Sequence, residues 1–150
     1  FEGGGGDDGF DCHSLGELEL VLVAAPNHPL AAVELTEELR AQHAELVVRD
    51  SSPNFELSSK PSFMGSRNVV YLSDFYSKRV ALVEAAGYGW IPLHLVREEL
   101  DQGRLVLLNT PTNRWSYYPQ LVLREGQELG RAGRLFVETL DPPLPQLQSR

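Results

Sequence analysis

Residues 18–25 read Leu18-Glu19-Leu20-Val21-Leu22-Val23-Ala24-Ala25, and Pro26 ends the run. A strand with one wet face alternates apolar and polar side chains. This one has no polar position after Glu19, so both of its faces must be covered, as in a parallel sheet flanked by helices. The rest of the chain supplies the other pieces. Residues 44–49, 68–72, the short stretch Trp90-Ile91 up to Pro92, residues 105–108 and residues 118–124 read as further strands. Helices are expected over 37–42 behind an N-cap at Thr36, over 74–86 behind a cap at Ser73, over 93–102 with Gly103 at C′, and over 129–140. Tyr76, Val80, Val83 and Gly87 have the spacing of one buried stripe, and Leu129, Ala132, Phe136 and Leu140 that of another. Asp141-Pro142-Pro143 stops the last helix and leaves residues 141–150 as a loose tail. Residues 1–17 open with Gly and Asp and read as a flexible loop; residues 50–67, rich in Ser and Pro, read as a long one. Strands alternating with helices in this order give an α/β fold with largely parallel sheets.

Composition narrows the function classes. The chain has 150 residues, of which 42% are apolar, enough to bury a core without staples. Its 21 acidic and 13 basic side chains give a formal charge of −8. Such a field repels phosphate backbones, and the arginines are scattered along the chain, so this piece by itself is not expected to bind nucleic acid. The single cysteine, Cys12, allows no internal disulfide and fits a reducing cytoplasm. No apolar run approaches bilayer length, so no membrane association is expected. The opening Phe1-Glu2-Gly3 has no initiator Met and reads as the start of a fragment.

Nothing in the sequence assembles a catalytic set. The Gly3–Gly6 run lacks the preceding strand and the following Gly-Lys-Ser/Thr of a phosphate cradle, and its role is unassigned. Cys12-His13 sets a nucleophile beside a base, but adjacent residues rarely orient on one another. His28, His43 and His94 are isolated in sequence and read as structural or surface residues; no metal and no cofactor are expected. Glu37-Glu38 and Glu98-Glu99 read as solvated helix faces. In open α/β sheets ligands sit at the carboxyl ends of strands beside helix N-termini. Two junctions have that character: Arg49 leading into Asp50-Ser51-Ser52, and Leu72 leading into Ser73-Asp74-Phe75. Either Ser51, Ser52 and Ser73 only turn and cap the backbone, or they and Phe75 receive a small ligand. An Asp74 facing that ligand would disfavour a carboxylate and favour a cationic or hydroxyl-rich molecule.

Two longer patterns say more. One is Val21-Leu22-Val23-Ala24-Ala25-Pro26-Asn27-His28-Pro29-Leu30. The other is Ala85-Ala86-Gly87-Tyr88-Gly89-Trp90-Ile91-Pro92, then Leu95-Val96, then Leu100-Asp101-Gln102-Gly103-Arg104-Leu105-Val106. In order and spacing, over residues 15–140, these resemble the effector-binding domain of LysR-type transcriptional regulators. One departure is visible: Ala85 stands where that family usually has its first Gly, which strains the backbone if the position has positive φ.

The resemblance implies a type 2 periplasmic-binding-protein-like α/β fold: two Rossmann-like lobes joined by two crossover strands, the first lobe incomplete in this chain. It places the first crossover at 18–25, one complete lobe at 26–89 and the C-terminal part of the other at 90–140, with the DNA-binding winged helix-turn-helix absent. It implies no enzyme. The implied function is sensing of a small-molecule effector by a cytoplasmic homo-oligomer, dimer or tetramer, which reaches DNA only through the absent domain. Ser51, Ser52, Ser73 and Phe75 would form the effector site in a cleft between the lobes. A transport-associated solute-binding protein of the same fold is the alternative. The incomplete lobe implies apolar surface left exposed near residues 18–25 and 129–140.

Overall fold

The computed structural model describes residues 9–49, 66–124, 126 and 128–140. In chain order the elements are β1 (Phe10–Ser14), β2 (Leu18–Ala24), a short 3-10 helix (Pro29–Ala32), α1 (Glu37–Gln42), β3 (Glu45–Val48), β4 (Val69–Leu72), α2 (Phe75–Val83), β5 (Tyr88–Pro92), α3 (Leu93–Asp101), β6 (Val106–Leu107), β7 (Arg114–Tyr117), β8 (Gln120–Arg124) and α4 (Arg131–Glu138). They fall into two compact units: a sheet unit, Glu19–Ser116, and a terminal unit made of Phe1–Leu18 and Tyr117–Arg150.

The sheet unit has strand order β4-β3-β5-β2-β6, with β7 also paired to β2. β3 is parallel to β4 and to β5. β2 runs antiparallel to both β5 and β6. The expectation of burial on both faces holds, but the inference to a parallel neighbour does not: an unbroken apolar run reports cover on two sides and says nothing of direction. Alternate β2 residues serve two cores. Leu20, Leu22 and Ala24 pack with Leu30, Leu35, Tyr88, Trp90 and Leu108 on one face. Val21 and Val23 pack with Leu46, Leu82, Ile91, Val96 and Leu105 on the other, beneath α2 and α3. Each of its Leu and Val side chains removed from water contributes about 1.5–3 kcal/mol, so this one strand ties both layers together.

The Gly87-Tyr88-Gly89 segment explains how closely β5 meets β3. A Cβ on Gly87 would collide with the Ala44 carbonyl oxygen, and one on Gly89 would lie 2.6 Å from that of Leu46. α2 ends in a Schellman motif: Ala86 N–H donates to Ala81 O at 3.0 Å and Ala85 N–H to Leu82 O at 3.1 Å. Ala85 therefore takes φ +58° at the C′ position, the strained case anticipated from the sequence. α3 ends the same way, with Gly103 at φ +69° in that role, as expected.

Several expectations are corrected. β1 lies inside the stretch expected as loop, where it pairs antiparallel with β8 from Phe10↔Arg124 to Ser14↔Gln120. Its residues alternate weakly, so only the distant partner reveals it. β7 was not foreseen as a strand. The compact unit does not end near residue 89: β5 lies between β3 and β2 inside the sheet, so residues 90–116 stay with residues 19–89. The helix stripes are also shifted. Tyr76 and Val80 are exposed, whereas Lys78 and Leu82 are buried. On α4, Phe136 is 56% exposed and Val137 is 7% exposed. Glu99, expected on a wet face, is buried and within 4 Å of Arg79 and Arg104. Exposed apolar residues do occur on the terminal unit (Phe10, Val122, Leu135, Phe136), while β2 beyond Glu19 is covered, contrary to expectation.

Candidate functional site

The parallel strands of the sheet unit bring their carboxyl ends to one edge, which is where open α/β sheets receive ligands. The register Val48↔Leu72 sets the residues after β3 and β4 side by side. Arg49 N–H donates to Leu72 O at 3.0 Å, and its guanidinium stacks on the Tyr71 ring at 5.5 Å. Of the four expected site residues, Ser51 and Ser52 lie outside the described residues. Ser73 and Phe75 both sit at this edge, at the entry to α2, following the Leu72 carbonyl that accepts from Arg49.

The helix entry differs from the expectation in one respect: Asp74, not Ser73, is its N-cap. The Asp74 carboxylate accepts from Ser77 N–H at 2.7 Å and from Ser77 Oγ at 3.1 Å. Ser73 Oγ donates to the same carboxylate at 2.6 Å. That hydroxyl, followed by the Ser77 amide, holds Asp74 below the usual carboxylate range. A carboxylate accepts charge-assisted bonds more strongly than a serine hydroxyl, which is why it wins the cap. The chemical consequence is direct. The positive end of the helix already faces a fixed negative charge, which opposes an incoming anion. Phe75, 37% exposed, offers an apolar wall beside it.

Arg49, not among the expected site residues, follows the carboxyl end of β3 at this same edge. Sequence reasoning also missed buried polar residues on α2 and on the sheet. Lys78 is 1% exposed; burial pulls its ammonium down to about 8, with Glu45 acting the other way. Burial likewise pushes the Tyr88 hydroxyl up to about 12. His28 and His43 are not isolated: their rings meet edge to face at 5.1 Å. Among the described residues no three His, Cys, Asp or Glu gather as metal ligands, and no helix is long and apolar enough to cross a membrane.

Comparison with known proteins decides the family. The family described as LysR substrate binding domain matches residues 2–142. The chain belongs to that family. A curated relative is the uncharacterized HTH-type transcriptional regulator YeeY of Escherichia coli (strain K12), 29% identical over 99 residues, covering 65% of this chain and 32% of YeeY. The chain thus spans about a third of the length of that relative. Among solved structures, the regulatory domain of CrgA, a LysR-type transcriptional regulator from Neisseria meningitidis, is similar with a TM-score of 0.61 and 18% identity, over 93% of this chain and 72% of that one. Full-length LysG from Corynebacterium glutamicum with bound effector Arg is similar with a TM-score of 0.60 and 19% identity, over 91% and 47%. The fold is that of LysR regulatory domains, α/β of the type 2 periplasmic-binding-protein kind. These relatives are transcriptional regulators.

Proposed function

We propose that this chain is the effector-binding domain of a LysR-type transcriptional regulator and has no catalytic role of its own. The family match over residues 2–142 carries this reading and favours a regulator over a transport protein. In it, Glu19–Ser116 forms one lobe and the terminal unit contributes to the other. The regulator works in the cytoplasm as a homo-oligomer, and DNA is held by a separate winged helix-turn-helix. Effector binding shifts the balance between conformations of the domain, and the oligomer passes that change on.

The effector site in this reading includes Arg49, Ser73, Asp74 and Phe75 at the carboxyl edge of the sheet, with Ser51 and Ser52 on the segment that follows Arg49. Because Asp74 is ionised and already caps α2, the part of the effector nearest it is cationic or rich in hydroxyls. The arginine bound by LysG has that character. The test is calorimetric titration of amino acids, amines, sugars and carboxylates into the intact regulator. A hit should lose at least about tenfold in affinity with Asp74→Asn, which keeps the cap and removes the charge. Unchanged affinity in both Asp74→Asn and Ser73→Ala would remove this junction from the site.

A further inference from the structure

The turn after β2 and the turn before β3 meet at two imidazoles. His28, 6% exposed, is the N-cap of the 3-10 helix, and its Nδ1 accepts from Leu30 N–H at 3.2 Å. An imidazole nitrogen that accepts a hydrogen bond carries no proton, so the cap exists only while His28 is neutral. Leu30, the residue so held, is fully buried against Leu22, Tyr88 and Trp90. His43, at the C-cap of α1, presents its ring to His28.

We infer that this corner is an acid-sensitive latch: neutral His28 holds the 3-10 helix and Leu30 against the sheet, and a proton on His28 releases them. Protonation does two things at once. It removes the acceptor of the Leu30 amide, and it puts a buried cation against the edge of a second imidazole. Among the ionisable groups of the neighbouring elements, Glu37 and Glu38 at the start of α1 are exposed, whereas Arg40 on α1, Glu45 on β3 and Tyr88 on β5 are partly or fully buried. His43 adds to the penalty on a charged His28. Glu45 is fully buried and interacts with Lys78 and Tyr88. Tyr88 stays neutral through this range.

Burial first, and His43 second, keep the His28 imidazole below its ordinary value. The unfolded corner therefore takes up its proton at higher pH than the folded one. Stability of the corner is complete above about pH 6.5 and is lost as pH falls from there through the lowered folded value. Each unit of separation between those two values multiplies the opened population by up to about ten.

This latch stands apart from the effector reading and does not depend on it. Hydrogen exchange of the intact protein, corrected for the intrinsic rate at each pH, reads it locally. Between pH 7.5 and pH 5, amides of residues 26–35 should lose about tenfold or more in protection, while α2 and α3 keep theirs. His28→Asn supplies an N-cap that does not titrate and should abolish the loss. Should that variant not fold, His43→Gln gives the second readout: with the neighbouring charge gone, the loss should shrink. Undiminished protection of residues 26–35 at pH 5 in the unsubstituted protein overturns the latch. So does a full loss retained in His28→Asn or in His43→Gln.

Discussion

At the scale of single residues, Ala85 is the position where local chemistry and fold disagree. The Schellman geometry that ends α2 needs a left-handed residue at C′, and Ala85 supplies it at φ +58°. A left-handed conformation costs an L-residue with a Cβ roughly 1–2 kcal/mol, part of which Gly gives back through its freer unfolded chain. Ala85→Gly should therefore stabilise the sheet unit by about 1 kcal/mol, seen as a higher urea midpoint with unchanged slope. A lowered midpoint would show that the Ala85 methyl packs more than it strains. The same local logic was legible beforehand, since Gly103 plays this part in α3 and Ala85 breaks the pattern. Glu99 and Lys78 were not legible. A charged residue in a helix reads as solvated until a neighbouring element covers it, and the elements covering these two are distant in sequence or not marked by any periodicity.

At the scale of elements, propensity and caps set boundaries well, and the choice of buried face less well. Thr36 caps α1 by accepting from Leu39 N–H, as its position before Glu37 and Glu38 suggests. On α4 the apolar residues Leu135, Phe136 and Val137 are consecutive, so a stripe can be drawn through any of them. The fold selects Val137, and Leu135 and Phe136 point outward. Val137→Ala should lower the stability of α4 by about 1–3 kcal/mol, whereas Phe136→Ser should change it by no more than about 0.5 kcal/mol. Exchange protection over residues 131–138 in the two variants measures the contrast. Equal losses would mean that Phe136 is covered in solution. β1 and β8 show the opposite limit. Both are short and alternate weakly, and they form a strand pair only because each finds the other across most of the chain.

At the scale of the whole molecule, the two compact units have unequal means of standing alone. The sheet unit owns both hydrophobic clusters, whereas the described part of the terminal unit is a two-stranded ribbon and one helix. A lone ribbon of that size is marginal in water. Residues 19–116 expressed alone should unfold in one cooperative urea transition that retains the protection pattern of the full chain; a gradual, non-cooperative loss of signal would contradict the division. The sequence by itself determined the α/β class, the central doubly buried strand, most element positions and the family, because these depend on local periodicity, on caps and on glycines forced by close backbone approach. Only the tertiary structure decided the direction of β2, the pairing of β1 with β8, the limits of the sheet unit, the capture of the α2 cap by Asp74 and the meeting of His28 with His43. Each of these is a choice of partner between segments far apart in the chain, and no local pattern encodes which of several compatible partners a buried face or a polar side chain will meet.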